Sequence, residues 1–133
     1  MNNSDETKEF IEQLAHTEKA VIVEGKKDTA ALEIIGVKKI FCIDKKPLYK
    51  VAEEVAEKYK EAILLTDLDR EGRKLYRKLK EMLSNLGVEV DNKFREYLFK
   101  ETRIRQIEGL SRLNPSNPRH AVAAESPAPM KLK

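Results

Sequence analysis

Two rhythms of apolar and polar positions alternate along this chain. Short apolar runs at 20–23 (Ala-Val-Ile-Val), Lys39 to Ile43, 62–65 (Ala-Ile-Leu-Leu) and 88–90 (Val-Glu-Val) predict strands, those at 20–23 and 62–65 buried. Between them the period lengthens to that of helices. Asp28 to Ile35 is a predicted helix stopped by Gly36, a residue type that accepts the left-handed conformation after a last turn. Pro47, preset for a first helical turn, opens a helix through Tyr59, with Leu48, Val51, Ala52, Val55 and Ala56 on one face. After Gly72 a longer helix runs to Leu86 and ends at Gly87. Phe10, Ile11, Leu14 and Ala15 mark an amphipathic helix within residues 1–19. Phe94, Tyr97 and Leu98 predict another helix, and Ile104, Ile107, Leu110 and Leu113 a last packed segment whose type the pattern leaves open.

Because every strand-to-strand connection in 20–90 contains a helix, the strands are expected to be parallel. The fold class is therefore α/β: a Rossmann-like, open, mainly parallel four-stranded sheet flanked by helices. One domain is expected over 20–113, its core motifs within 20–90. Four of the five prolines fall in 114–133, among Ala, Ser and Asn, and that stretch reads as a disordered tail.

Composition narrows the class. The 133 residues carry 26 Lys and Arg against 23 Asp and Glu, a net charge of +3, so the surface is densely ionic without being strongly basic. No run approaches the roughly 20 apolar residues of a membrane span, and the polar, acidic start is unlike a secretory signal, so a cytoplasmic location without membrane contact is expected. Cys42, the single cysteine, can form no internal disulfide and reads as a small core residue. No Gly-x-Gly-x-x-Gly or Walker-type loop is present, which weakens a nucleotide-binding reading.

Chemistry concentrates at two strand ends. The first strand runs into Glu24-Gly25 and the third into Thr66-Asp67-Leu68-Asp69. Ligands of open parallel sheets bind outside the carboxyl ends of the strands, so these three acids are placed to converge. Crowded carboxylates raise one another's pKa unless a cation sits among them, and an oxygen-only set suits Mg²⁺ or Mn²⁺. The competing reading is that the aspartates cap the following helix. It leaves Glu24-Gly25 unexplained, where glycine lets backbone pass close to a ligand. Asp44, after the second strand, is a candidate outer-shell ligand or a cap for the helix begun by Pro47.

Lys26 and Lys27 sit near a helix start, where cations oppose the dipole and a bound anion would offset them. Arg70, Arg73, Lys74, Arg77 and Lys78 recur on one face of the long helix, opposite Leu75, Leu79, Met82, Leu83 and Leu86. That basic stripe begins at the carboxylates and is a candidate track for a phosphate backbone. Arg103, Arg105 and Arg112 are candidates to extend it. His16 and His120 receive no role.

Glu24-Gly25-Lys26-Lys27-Asp28 after a first strand, followed some forty residues later by Thr66-Asp67-Leu68-Asp69-Arg70-Glu71-Gly72 after another, resembles the TOPRIM domain. That domain is shared by topoisomerases, bacterial-type primases, ribonuclease M5-like maturases and OLD-family nucleases. The second motif is most similar to its type IA topoisomerase form, and the chain length resembles that of small stand-alone members. The resemblance implies that Glu24 is general acid/base and metal ligand and that Asp67 and Asp69 hold Mg²⁺, with Mn²⁺ a possible substitute. It makes Gly25 and Gly72 motif glycines, while Asp28 reads mainly as a helix cap. No strand gate is expected within these 133 residues, and the single cysteine cannot supply a zinc-ribbon set. Tyr49, Tyr59, Tyr76 and Tyr97 fall in predicted helices, so no covalent tyrosyl intermediate is expected.

The function expected is Mg²⁺-dependent phosphodiester chemistry on RNA or DNA, most simply nuclease-type hydrolysis, with Lys26, Lys27, Arg70, Arg73, Lys74 and Arg77 placing the backbone. The alternative is a non-catalytic, metal-binding nucleic-acid-binding or assembly subunit. A protein partner that completes the site is compatible with either.

Overall fold

A computed structural model describes residues 3–113 of the chain. Strands β1 (Ala20–Val23), β2 (Ile40–Cys42), β3 (Glu61–Leu65) and β4 (Glu89–Asp91) lie in the order β2-β1-β3-β4, and every neighbouring pair is parallel. The first connection leads from β1 to one side and later strands build on the other, so the direction of winding reverses between β1 and β3. That reversal opens a crevice at the carboxyl ends of the two central strands. The register pairs Val23 with Leu65, which brings Glu24 level with Thr66 and one residue short of Asp67.

Side chains on alternate strand positions fill two cores. Val21, Val23, Ile63 and Leu65 pack with Phe10 and Leu14 of α1 (Asn3–Ala15), Leu32 of α2 (Lys26–Ile34) and Leu98 of α5 (Lys93–Glu101). Ala20, Ile22, Ala62 and Leu64 face Val51 and Val55 of α3 (Leu48–Lys58) and Leu79 and Leu83 of α4 (Arg70–Asn85). All eight strand residues are fully buried, which is why the β1 and β3 runs are continuously apolar rather than alternating. The helices cover both faces, as the α/β expectation requires.

Several local expectations are refined. Helix α2 begins at Lys26, so Lys26 and Lys27 form its first turn and Gly25 is its N-cap. Pro47 is the N-cap of α3 and not its first helical residue. Gly36 and Gly87 end their helices at φ +101° and +84°, in the left-handed region expected of them. Leu86 is 48% exposed and leaves the apolar face of α4 at Leu83. Cys42 is half-buried on the edge strand β2 and packs at the margin of the core. The last segment is a 3₁₀ helix, Ile107–Leu113, whose Ile107 and Leu110 are fully buried. No helix of the described residues is long and apolar enough to cross a membrane. The tail 114–133, including His120, lies outside the described residues.

Candidate metal and nucleic-acid site

Glu24 leaves the end of β1 and Asp67 the end of β3, and one hydrogen bond joins them: the Asp67 N–H donates to Glu24 Oε2 at 2.7 Å. The structure thus brings two of the three predicted acids, Glu24 and Asp67, into direct contact. Asp67 is held in turn from the terminal segment, whose Ile107 N–H donates to Asp67 Oδ1 at 2.7 Å. Asp69 caps α4, its Oδ1 accepting from the Gly72 N–H at 2.8 Å. For Asp69 the capping reading therefore holds, and a second oxygen stays available to a ligand. Asp28 does what was expected of it: its Oδ2 accepts from the Gly25 N–H at 3.0 Å, from the third position of α2 back to the N-cap.

The two motif glycines differ in what the chain demands of them. A Cβ on Gly72 would overlap the Asp67 carbonyl oxygen and lie 2.6 Å from its carbonyl carbon. Only glycine lets the first turn of α4 pack onto the Asp67 backbone, a contact tightened by Thr66 Oγ1 donating to Gly72 O at 2.8 Å. Gly25 has extended backbone at φ −143°, and a Cβ there would meet only Asp28 Oδ2 at 3.9 Å. The fold itself does not require glycine at 25. Its absent side chain leaves open space beside Glu24.

The electrostatics are those of carboxylates held close together, with the Arg95 guanidinium partly offsetting their charge at Asp67. Burial pushes the Glu24 carboxyl up, the Asp67 N–H opposes that shift, and the charges of Asp67, Asp69 and Asp28 add to it. Asp67 is likewise raised by burial, against the Ile107 N–H, with further repulsion from Asp69 and Glu108. Asp28 is raised for the same first reason. Among the described residues no three acidic, histidine or cysteine side chains are clustered tightly enough to hold a metal as they stand. The chemistry of the donors nevertheless fits a hard divalent cation: all are carboxylate oxygens, and Glu24 and Asp67 each keep one oxygen outside their backbone hydrogen bond.

Arg95, which the sequence reading missed, secures the Asp67 loop. From α5 its Nε donates to Thr66 O at 3.0 Å and its Nη2 to Asp67 O at 2.8 Å. The guanidinium lies over the rings of Tyr76 and Phe99, 4.7 and 5.1 Å from their centroids. Phe99 stands one helical turn from Arg95, so that stacking was readable from spacing. The reach to residues 66 and 67 was not, because it spans separate elements.

The other sequence candidates separate in space. Arg70, Arg73, Lys74, Arg77 and Lys78 are all exposed on α4, and Arg73 Nη1 donates to Leu68 O at 2.8 Å. Lys26 and Lys27 are exposed too, with Lys26 lining a cleft toward the β2 edge together with Asp44 and Lys46. Asp44 does not cap α3: it is exposed, sits at φ +47°, and its N–H donates to Glu24 O at 2.7 Å. The backbone of Asp44, rather than its carboxylate, is what reaches the Glu24 residue.

Comparison with known proteins gives a consistent result. The Toprim domain family matches residues 19–100. A UPF0292 protein of Methanocaldococcus jannaschii is 44% identical over 108 residues, covering 77% of this chain and 84% of that one. A UPF0292 protein of Pyrococcus horikoshii is 42% identical over 90 residues, 67% of each chain. A solved structure of a putative protein from Aquifex aeolicus superposes with a TM-score of 0.69 at 36% identity, covering 80% of this chain and 96% of that one.

Proposed function

Since this chain belongs to the Toprim domain family, whose chemistry is metal-binding and directed at nucleic acid, we propose that it hydrolyses phosphodiester bonds at Glu24, Asp67 and Asp69. The observation that carries the reading is the hydrogen bond from Asp67 N–H to Glu24 Oε2, which ties the two motifs into one site at the crevice between β1 and β3. Glu24, Asp67 and Asp69 are the residues that would hold Mg²⁺, with Mn²⁺ as substitute. A divalent cation there supplies charge neutralisation at the phosphoryl group and a more acidic water. Glu24, raised by burial, keeps a protonated fraction at higher pH than an exposed glutamate does. It is therefore suited to pass a proton to the leaving oxygen or take one from the attacking water. Arg95 keeps the Asp67 loop in place while these groups act.

The second reading is a non-catalytic, metal-binding nucleic-acid-binding or assembly subunit, which would use the same carboxylates to hold a metal without turnover. The discriminating experiment is a cleavage assay of wild type and Asp67→Ala on structured RNA, single-stranded RNA and DNA, with Mg²⁺, Mn²⁺ or EDTA. Metal-dependent cleavage lost in the variant supports hydrolysis and names its substrate. Salt-sensitive binding with no cleavage on any substrate supports the second reading.

A further inference from the structure

On one side of Asp69 the surface opens into a cleft of about 750 Å³ between the start of α4 and residues 103–112. Arg73, Arg103, Arg105 and Arg112 line it, against the two acids Asp69 and Glu108. None of the four arginines forms an ion pair among the described residues. Two of them are anchored by backbone carbonyls instead. Arg73 Nη1 donates to Leu68 O at 2.8 Å, and Arg105 Nη1 donates to Thr102 O at 3.0 Å and Ile104 O at 2.9 Å. A carbonyl fixes a guanidinium without neutralising it, so the cleft wall keeps its positive charge in a set position. Arginines oriented in this way match phosphate oxygens with paired hydrogen bonds, which lysine cannot do.

The cleft also sorts the basic residues. Only Arg73 of the α4 stripe lines it; Arg70, Lys74, Arg77 and Lys78 do not, and Lys26 lines a different cleft, toward β2. Its volume far exceeds the needs of one inorganic phosphate, and its lining includes Asp69, a member of the carboxylate set. We propose that this cleft, and not the outer face of α4, seats the phosphodiester backbone of a single nucleic-acid strand leading to the carboxylates. The inference rests on the nucleic-acid reading above and deepens it.

The test is equilibrium binding of labelled single-stranded RNA and DNA oligonucleotides to the full chain in EDTA, where cleavage cannot interfere. Salt is varied between about 50 and 200 mM, comparing wild type, Arg103→Gln with Arg112→Gln, and Lys74→Gln with Arg77→Gln. Arg103 and Arg112 are exposed, and thermal melts of each variant verify folding. The cleft pair is expected to weaken binding at least tenfold and to flatten the salt slope by about 1.4, two contacts at roughly 0.7 each. The α4 pair should change the slope far less. Replacing the cleft pair with lysines should restore the slope but not the full affinity. A cleft pair that binds like wild type, or an α4 pair that loses as much, overturns the proposal while the nucleic-acid reading stands. A wild type that binds neither oligonucleotide at any salt overturns the proposal, and one that also fails to bind structured RNA and duplex DNA overturns the nucleic-acid reading as well.

Discussion

The Asp67 backbone N–H donates to Glu24 Oε2 at 2.7 Å across the ends of β1 and β3. This contact uses one oxygen of Glu24 to fix the side chain and leaves the other for chemistry. It also makes the amide of a candidate metal ligand the orienting group of the candidate acid/base.

Glu24→Gln should preserve that contact, because a glutamine carbonyl oxygen accepts from the same N–H. Turnover should fall by about 10²–10⁴-fold, with folding and oligonucleotide binding nearly unchanged. Single-turnover cleavage measured beside a thermal melt checks this. Wild-type turnover in the variant would remove Glu24 from the mechanism.

Gly72→Ala should be severe for one methyl group. The new Cβ would overlap the Asp67 carbonyl, so either the Asp67 loop or the start of α4 must move. A loss of about 1–3 kcal/mol is expected, together with weakened divalent-metal binding. Chemical denaturation and metal titration followed by calorimetry would read both. At position 25, where a Cβ meets only Asp28 Oδ2 at 3.9 Å, alanine should cost stability little.

Arg95→Met keeps much of the packing against Tyr76 and Phe99 but removes both hydrogen bonds to the Thr66 and Asp67 carbonyls. Charge-assisted hydrogen bonds of this kind contribute about 1.5–3 kcal/mol each, less where water can substitute. A drop in melting temperature and a lower metal affinity are expected. Unchanged metal affinity with lowered stability would confine Arg95 to folding.

The raised carboxyls of Glu24, Asp67 and Asp28 predict how stability responds to pH. Their contribution is fully present below the unfolded-state values, near pH 4, and is lost as pH rises through the higher folded values. In EDTA this set should therefore lose stability on going from acid toward neutral pH. A divalent cation bound by Glu24 and Asp67 should reverse the trend at neutral pH. Melting curves across pH with EDTA and with Mg²⁺ test this; identical curves in the two would argue against a metal at these residues.

Lys19 and Asp91 supply a contribution of opposite sign at low pH. Lys19 Nζ stands 2.7 Å from Asp91 Oδ2, tying the entry to β1 to the end of β4. Burial raises the Asp91 carboxyl, but the hydrogen bond from Lys19 and the Lys93 N–H outweigh it and leave it lowered. The Lys19 ammonium is raised, chiefly by its hydrogen bond to Asp91. The pair is intact at neutral pH, and its stabilisation is lost as pH falls through the lowered Asp91 value or rises through the raised Lys19 value. Asp91→Asn should cost about 0.5–1 kcal/mol at pH 7 and progressively less as pH falls below the ordinary carboxylate range, as urea titrations at neutral and acid pH would show.

What the sequence determined by itself was local and periodic. Continuous apolar runs at 20–23 and 62–65, helical spacing between them and glycines at 36 and 87 specify parallel strands with helical crossovers, because burial on both faces admits few other solutions. Glu24, Asp67 and Asp69 were legible as candidates because their positions follow strand ends. The tertiary structure decided everything that depends on contacts between distant segments. Strand order placed the reversal between β1 and β3, Arg95 reached over from α5, and Ile107 N–H came to Asp67 from 40 positions away. It likewise singled out one member of the basic stripe, since Arg73 bonds the Leu68 carbonyl and lines the cleft with residues 103–112, which Arg70, Lys74, Arg77 and Lys78 do not. Periodicity records which side of an element is buried and carries no record of which element will lie against it.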